Sequence, residues 1–123
     1  MNWLDGQKYC RAKYTDLASI RNEEENTNAS RLIDPSGPGY TPFAWIGLQR
    51  NWEWSDKKSN STFRKWGGAQ PSGDGIPGKR HEKSSCASAD LNKEWKNTDC
   101  TEKLPFVCYE GEFLGEESHM RLF

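Results

Sequence analysis

Four cysteines constrain this chain more than any other feature, and three of them crowd into residues 86–108, which read CASADLNKEWKNTDCTEKLPFVC. The fourth, Cys10, lies far upstream, so a bridge to it closes almost the whole chain. Four cysteines in a small polar chain point to a framework of two disulfides. Zinc fits less well, because there is no CxxC pair and His81 and His119 stand outside any ligand spacing. The crowded span also carries Trp95 and a closing apolar run, Pro105-Phe106-Val107-Cys108, as expected of a loop tied down beside a core strand. Bridges answer a real need. With 33% hydrophobic residues and a mean hydropathy of -1.00, the aliphatic core is thin. Six Trp, five Phe and four Tyr compensate, since each aromatic buries more area than an aliphatic does. The 123 residues leave room for one domain.

Disulfides place the chain in an oxidising compartment, secreted or on the outer side of a membrane protein. Two sequons, Asn28-Ala29-Ser30 and Asn60-Ser61-Thr62, agree, and make Asn28 and Asn60 glycosylation candidates. The opening Met1-Asn2-Trp3-Leu4-Asp5-Gly6 has neither the basic nor the apolar region of a signal peptide. No stretch approaches the roughly 18 apolar residues of a membrane span. An exported framework without an export signal is expected to be a fragment, either an excised domain or an incomplete gene model. A net charge of -1 and a pI near 6.1 carry no footprint of nucleic acid or of an anionic membrane.

Along the chain, residues 2–14 read as a helix with Trp3, Gln7, Cys10 and Tyr14 on one side and basic residues toward its C-terminal end. Leu17 to Ile20 reads as a short buried strand. A second helix starts at Asn22, an N-cap with Glu25 three positions on, and runs to the breakers at 35–39, with Leu32 and Ile33 packed inward. Phe43 to Leu48 is a central strand, and Trp52-Glu53-Trp54 a strand with one buried face. Trp45, Trp54, Trp66 and Trp95 are expected in the core, with Trp52 the surface aromatic. Residues 67–85 are rich in Gly, Pro, Ser and charge, and a loop of that length is usually functional or disordered. Residues 110–123 are expected to be a frayed tail.

Taken in order, Trp45-Ile46-Gly47-Leu48, Trp52-x-Trp54-Ser55-Asp56, Phe63-x-x-Trp66, Gln70-Pro71, Cys86-Ala87, Trp95-x-x-x-x-Cys100 and Phe106-Val107-Cys108-Tyr109 resemble the C-type lectin-like domain. The resemblance covers residues 2–109 and implies a domain over 1–109. It implies an α+β fold with two helices, two small antiparallel sheets and a long loop. It also implies the pairings Cys10–Cys108 and Cys86–Cys100. On a chain-entropy account these would contribute about 4 to 5 and about 3 kcal/mol respectively. The family domain usually begins one strand earlier, so its first strand is expected to be missing here.

In the sugar-binding members, the resemblance implies a calcium ion held by a Glu-Pro-Asn or Gln-Pro-Asp triplet. A Glu two residues before the third cysteine and a Trp-Asn-Asp triplet complete the ligand set. Calcium takes about six to eight hard oxygens, several of them anionic. Here the corresponding residues are Gln70-Pro71-Ser72, Ser84 and Trp95-Lys96-Asn97. Ser72 loses a ligand's reach and charge, Ser84 and Asn97 are neutral, and Lys96 brings a positive charge. Pro71 fits a cis bond as in the family, or an ordinary loop proline once the ion is gone. No cofactor is expected and calcium is disfavoured. Asp74, Glu82 and Asp99 offer oxygens, but their spacing gives no reason to expect them to assemble.

No motif pairs a nucleophile with a base, so an enzyme is not expected. The resemblance implies an extracellular ligand-recognition module of the carbohydrate-binding type, with Gln70, Pro71, Ser72, Ser84, Lys96 and Asn97 as candidate ligand-binding residues. The alternative is a calcium-independent protein-binding receptor module of the same fold, with a glycan or protein partner in either case. Lys79, Arg80, His81, Lys83 and Lys96 would suit an acidic protein or a sulfated or sialylated glycan.

Overall fold

The computed structural model describes residues 1–33, 42–49, 52–68, 86–110 and 119–123. Helix α1 (Trp3–Lys13) is capped by Asn2, whose side-chain oxygen accepts from the Asp5 amide at 2.8 Å. That satisfies one of the amides that a helix start leaves without an intrahelical partner. Its inner face carries Trp3, Gly6 and Cys10, all buried. Gly6 lets the helix approach closely there, because a Cβ at that position would stand 3.1 Å from the Phe106 ring.

Strand β1 is only Asp16–Leu17, shorter than the run expected; Ala18 to Ile20 are buried but lie outside it. Helix α2 (Glu23–Arg31) starts at the expected cap, with Asn22 Oδ1 accepting from the Glu25 amide at 2.9 Å. The returning half of the capping box differs. Glu25 reaches one residue further back, accepting from the Arg21 amide at 2.7 Å and from its guanidinium at 2.6 Å. That partner raises the Arg21 pKa. The helix ends short of the breakers expected to stop it, with Leu32 as its C-cap, while Leu32 and Ile33 pack inward as expected.

Two antiparallel sheets follow. The larger has the order β3-β2-β4-β5, with β2 (Phe43–Gln49), β3 (Glu53–Trp54), β4 (Cys86–Asp90) and β5 (Trp95–Thr98). The smaller has the order β1-β6-β7, with β6 (Val107–Glu110) and β7 (His119–Leu122). The larger sheet is buried on both faces. Ala44, Ile46, Leu48, Ala87, Ala89 and Trp95 face one cluster, which also takes Ile20, Ala29 and Val107. Trp45 and Cys86 face another, built on Trp3, Cys10, Leu17 and Phe106. A strand covered on both sides needs a continuous apolar run, and Phe43 to Leu48 is one.

The sheets are stitched by backbone bonds from Gly47 N to Ala18 O (2.8 Å) and from Trp45 N to Pro105 O (2.8 Å), while Ala18 N to Val107 O (2.8 Å) extends the β1–β6 pairing. Both expected disulfides form: Cys10–Cys108 ties α1 to β6, and Cys86–Cys100 ties β4 to the turn after β5.

The expectation of a frayed tail over 110–123 fails at its two ends. Glu110 belongs to β6, and residues 119–122 pair with it in the register Val107↔Leu122 to Glu110↔His119. The physical reason is two-sided fit. Met120 and Leu122 pack on the first cluster, while the Phe123 ring lies 4.9 Å from that of Tyr9 and 5.8 Å from that of Phe106.

Candidate functional site

The site implied by the sequence spans the long loop and β5. Of its residues, Gln70, Pro71, Ser72 and Ser84 lie outside the described residues, as do Asp74, Glu82 and the basic run Lys79, Arg80, His81 and Lys83. Strand β5 is fully described. It pairs with β4 in the register Cys86↔Thr98, Ala87↔Asn97, Ser88↔Lys96 and Ala89↔Trp95. The β4–β5 turn closes through Lys93, which adopts a left-handed φ of 68°, and through Asp90 Oδ1, which accepts from the Asn92 and Glu94 amides.

Alternation along β5 separates the two candidate residues. Trp95 and Asn97 are buried, whereas Lys96 and Thr98 point to the other face and are half-exposed. There the Lys96 ammonium stands 3.6 Å from the centroid of the Phe43 ring, a cation–π contact. Thr98 shares a hydroxyl hydrogen bond of 3.0 Å with Ser88. Lys96 and Asn97 are therefore sequence neighbours that the strand does not bring together. Trp95, as expected, is core: it is 1% exposed and its Nε1 donates to Asn26 Oδ1 at 2.8 Å.

The donor set on β5 does not suit calcium. It supplies one neutral amide and, on the opposite face, a cation. Asp99 Oδ1 already accepts from the amide and the hydroxyl of Thr101 at 2.9 and 2.7 Å. Among the described residues no group of three or more His, Cys, Asp or Glu side chains is placed to hold a metal.

A second feature was not legible in the sequence. The segment 59–61 separates two adjoining clefts. One, of about 360 Å³, is lined by Trp52, Glu53, Lys57, Asn60 and Arg64 among others. Its neighbour, of about 510 Å³, is lined by Arg21, Asn60, Thr62 and Phe63 among others. Arg64 anchors the segment. Its Nη1 donates to the carbonyls of Ser61 (3.1 Å) and Phe63 (2.8 Å), and its Nη2 to that of Trp52 (2.8 Å). Burial lowers the Arg64 pKa. Trp52 is held at a φ of 53°, sterically disfavoured for a bulky side chain. It is half-buried rather than a surface aromatic, with its ring edge-on to Trp66 at 4.7 Å. Trp66, expected in the core, is half-buried as well. The run Lys57 to Thr62 reads as an ordinary polar turn, and nothing in it announces that Arg64 folds back beneath it.

The sequon residues fall in different settings. Asn28 is exposed on α2, and the Ser30 that completes its sequon is 4% exposed and donates to the Asp90 carbonyl at 3.0 Å. Asn60 and Thr62 are both exposed on the segment between the clefts.

The helices, the two-sheet topology and the two bridges agree with what known proteins show. A model of the lectin C-type domain matches residues 1–110. The chain belongs to the lectin C-type domain family. Among curated relatives of this C-type lectin domain, L-selectin of Rattus norvegicus is 29% identical over 117 residues, covering 89% of the chain and 29% of the relative. The C-type mannose receptor 2 of Mus musculus is 29% identical over 113 residues, covering 88% of the chain and 7% of the relative. The chain thus spans less than a third of the length of these curated relatives. Among solved structures, human lithostathine superposes with a TM-score of 0.73 at 26% identity, over 90% of this chain and 85% of that one.

Proposed function

We propose that this C-type lectin domain is a ligand-recognition module of the carbohydrate-binding type, working without calcium at the family's usual position, on an exported or extracellular protein. The observation that carries the calcium-free part is the state of β5, where the Lys96 ammonium is turned onto the Phe43 ring and Asn97 is a neutral, buried amide. A divalent cation gains from anionic oxygens, and neither side chain provides one. The names of two relatives, a selectin and a mannose receptor, support a sugar as the ligand class. Two disulfides support an oxidising compartment.

The experiment is an array of neutral, sialylated and sulfated glycans probed with the oxidised domain, in millimolar calcium and in excess EDTA. The proposal expects the same glycans to be bound in both buffers. Binding that disappears in EDTA would overturn the calcium-free reading. Binding to no glycan in either buffer would overturn the carbohydrate reading and favour a protein ligand.

A further inference from the structure

We propose that Asn60 carries an N-linked glycan, and that the cleft beside it seats the first N-acetylglucosamine of that glycan against Trp52. The inference rests on the exported, oxidising setting proposed above. Covalent attachment would proceed from a lipid-diphosphate-linked oligosaccharide. Asn60 Nδ2 attacks C1 of the terminal N-acetylglucosamine, the Nδ2–C1 bond forms and the C1–O bond to the diphosphate breaks. The amide proton leaves, and the lipid diphosphate is the leaving group.

Three observations converge on this residue. Asn60 and Thr62 are both exposed, so the amide and the sequon hydroxyl are accessible together; at the other sequon the Ser30 hydroxyl is buried in a hydrogen bond. The backbone next to Asn60 is also held in place, because its neighbour Ser61 is anchored on both sides. The Ser61 carbonyl accepts from Trp54 Nε1 at 3.0 Å and from Arg64 Nη1 at 3.1 Å, and its hydroxyl donates to the Ile20 carbonyl at 3.2 Å. Finally, Asn60 itself lines the cleft of about 360 Å³ that Trp52 and Glu53 also line.

The Trp52 backbone supplies the physical reason to expect an occupant. A tryptophan at φ 53° is strained, and such strain persists only where the surroundings enforce it, most often at ligand-contacting positions. Here the enforcing group is the half-buried Arg64 guanidinium, which donates to the Trp52 carbonyl. An open cleft holds a free sugar weakly. A sugar tethered to Asn60 meets the same surface at an effective concentration in about the millimolar range, so weak stacking and a hydrogen bond to Glu53 suffice.

The test uses the domain secreted from a eukaryotic host. Glycosidase release in heavy-oxygen water, followed by tryptic mass spectrometry, marks each formerly glycosylated asparagine. The peptide 59–64 (SNSTFR) should carry the heavy label and the peptide 22–31 (NEEENTNASR) should not. An unlabelled 59–64 peptide from folded, secreted protein would overturn the proposal. For the seating, the glycan is trimmed to its first sugar and thermal midpoints are compared. Asn60→Gln should lower the midpoint by a few degrees in the parent domain and leave it unchanged in a Trp52→Gly background, where glycine accepts the positive φ. Equal loss in both backgrounds, or none in the parent, would overturn the seating. A glycopeptide mass does not depend on ligand binding, so failure here is distinct from failure on the glycan array.

Discussion

Single residues carry strain and burial that decide stability in this domain. Gly47 sits where β2 crosses the end of β1, and a Cβ there would stand 2.9 Å from the Leu17 carbonyl oxygen and 3.0 Å from that of Ala18. The obstacle is backbone, not a flexible side chain. Gly47→Ala should therefore destabilise the domain by about 1–3 kcal/mol, as overpacking does, read from denaturant midpoints at unchanged slope. Tyr109 is a different kind of site. Its ring is buried in β6 and its hydroxyl donates to Asp56 Oδ2. Burial first, and the Asp56 hydrogen bond second, raise the Tyr109 pKa above its ordinary value of 10.0. The folded state thus retains a proton that the unfolded chain loses, so stability is full below about pH 10 and falls as pH rises through it. Thermal midpoints measured from pH 8 upward should drop above about pH 10. In Tyr109→Phe that drop should flatten, while stability at neutral pH falls by about 1–3 kcal/mol because Asp56 loses its donor.

Elements show which parts of the fold the sequence makes legible. Helix α2 was readable because Asn22 and Glu25 are a local signal that needs no tertiary partner, even though Glu25 then bonds to Arg21. Strand β2 was readable because an apolar run without alternation matches burial on both faces. Strand β7 was not readable. HMRLF has a half-apolar pattern, and its identity as a strand depends on β6 and on Tyr9, Tyr14 and Phe106 far away in sequence. Two backbone bonds between Phe106 and Phe123, at 3.0 and 2.9 Å, complete the attachment. Truncation after Glu110 should lower the melting midpoint by several degrees, and the peptide HMRLF added in trans should restore part of it. An unchanged midpoint after truncation would mean that β7 contributes nothing to the folded state.

At the scale of the whole molecule, a small aliphatic core is offset by aromatic packing on both faces of one sheet and by two cross-links. The ordered Trp and Cys motifs made that architecture legible through their resemblance to the C-type lectin-like domain, which implied both the fold and the two pairings. The candidate site was legible only in its chemistry. Sequence alone named Lys96 and Asn97, but their separation onto opposite faces of β5 follows from strand alternation against Phe43. The Trp52–Arg64 arrangement depends on a fold-back that no local pattern encodes. The proposed recognition without calcium at the usual position is checked by a thermal melt of the oxidised domain in millimolar calcium against excess chelator. A ligand present at about a thousand times its dissociation constant adds roughly 4 kcal/mol to the folded state, a plain shift in midpoint. Coincident melts in the two buffers are expected, and a clear upward shift in calcium would overturn the calcium-free reading.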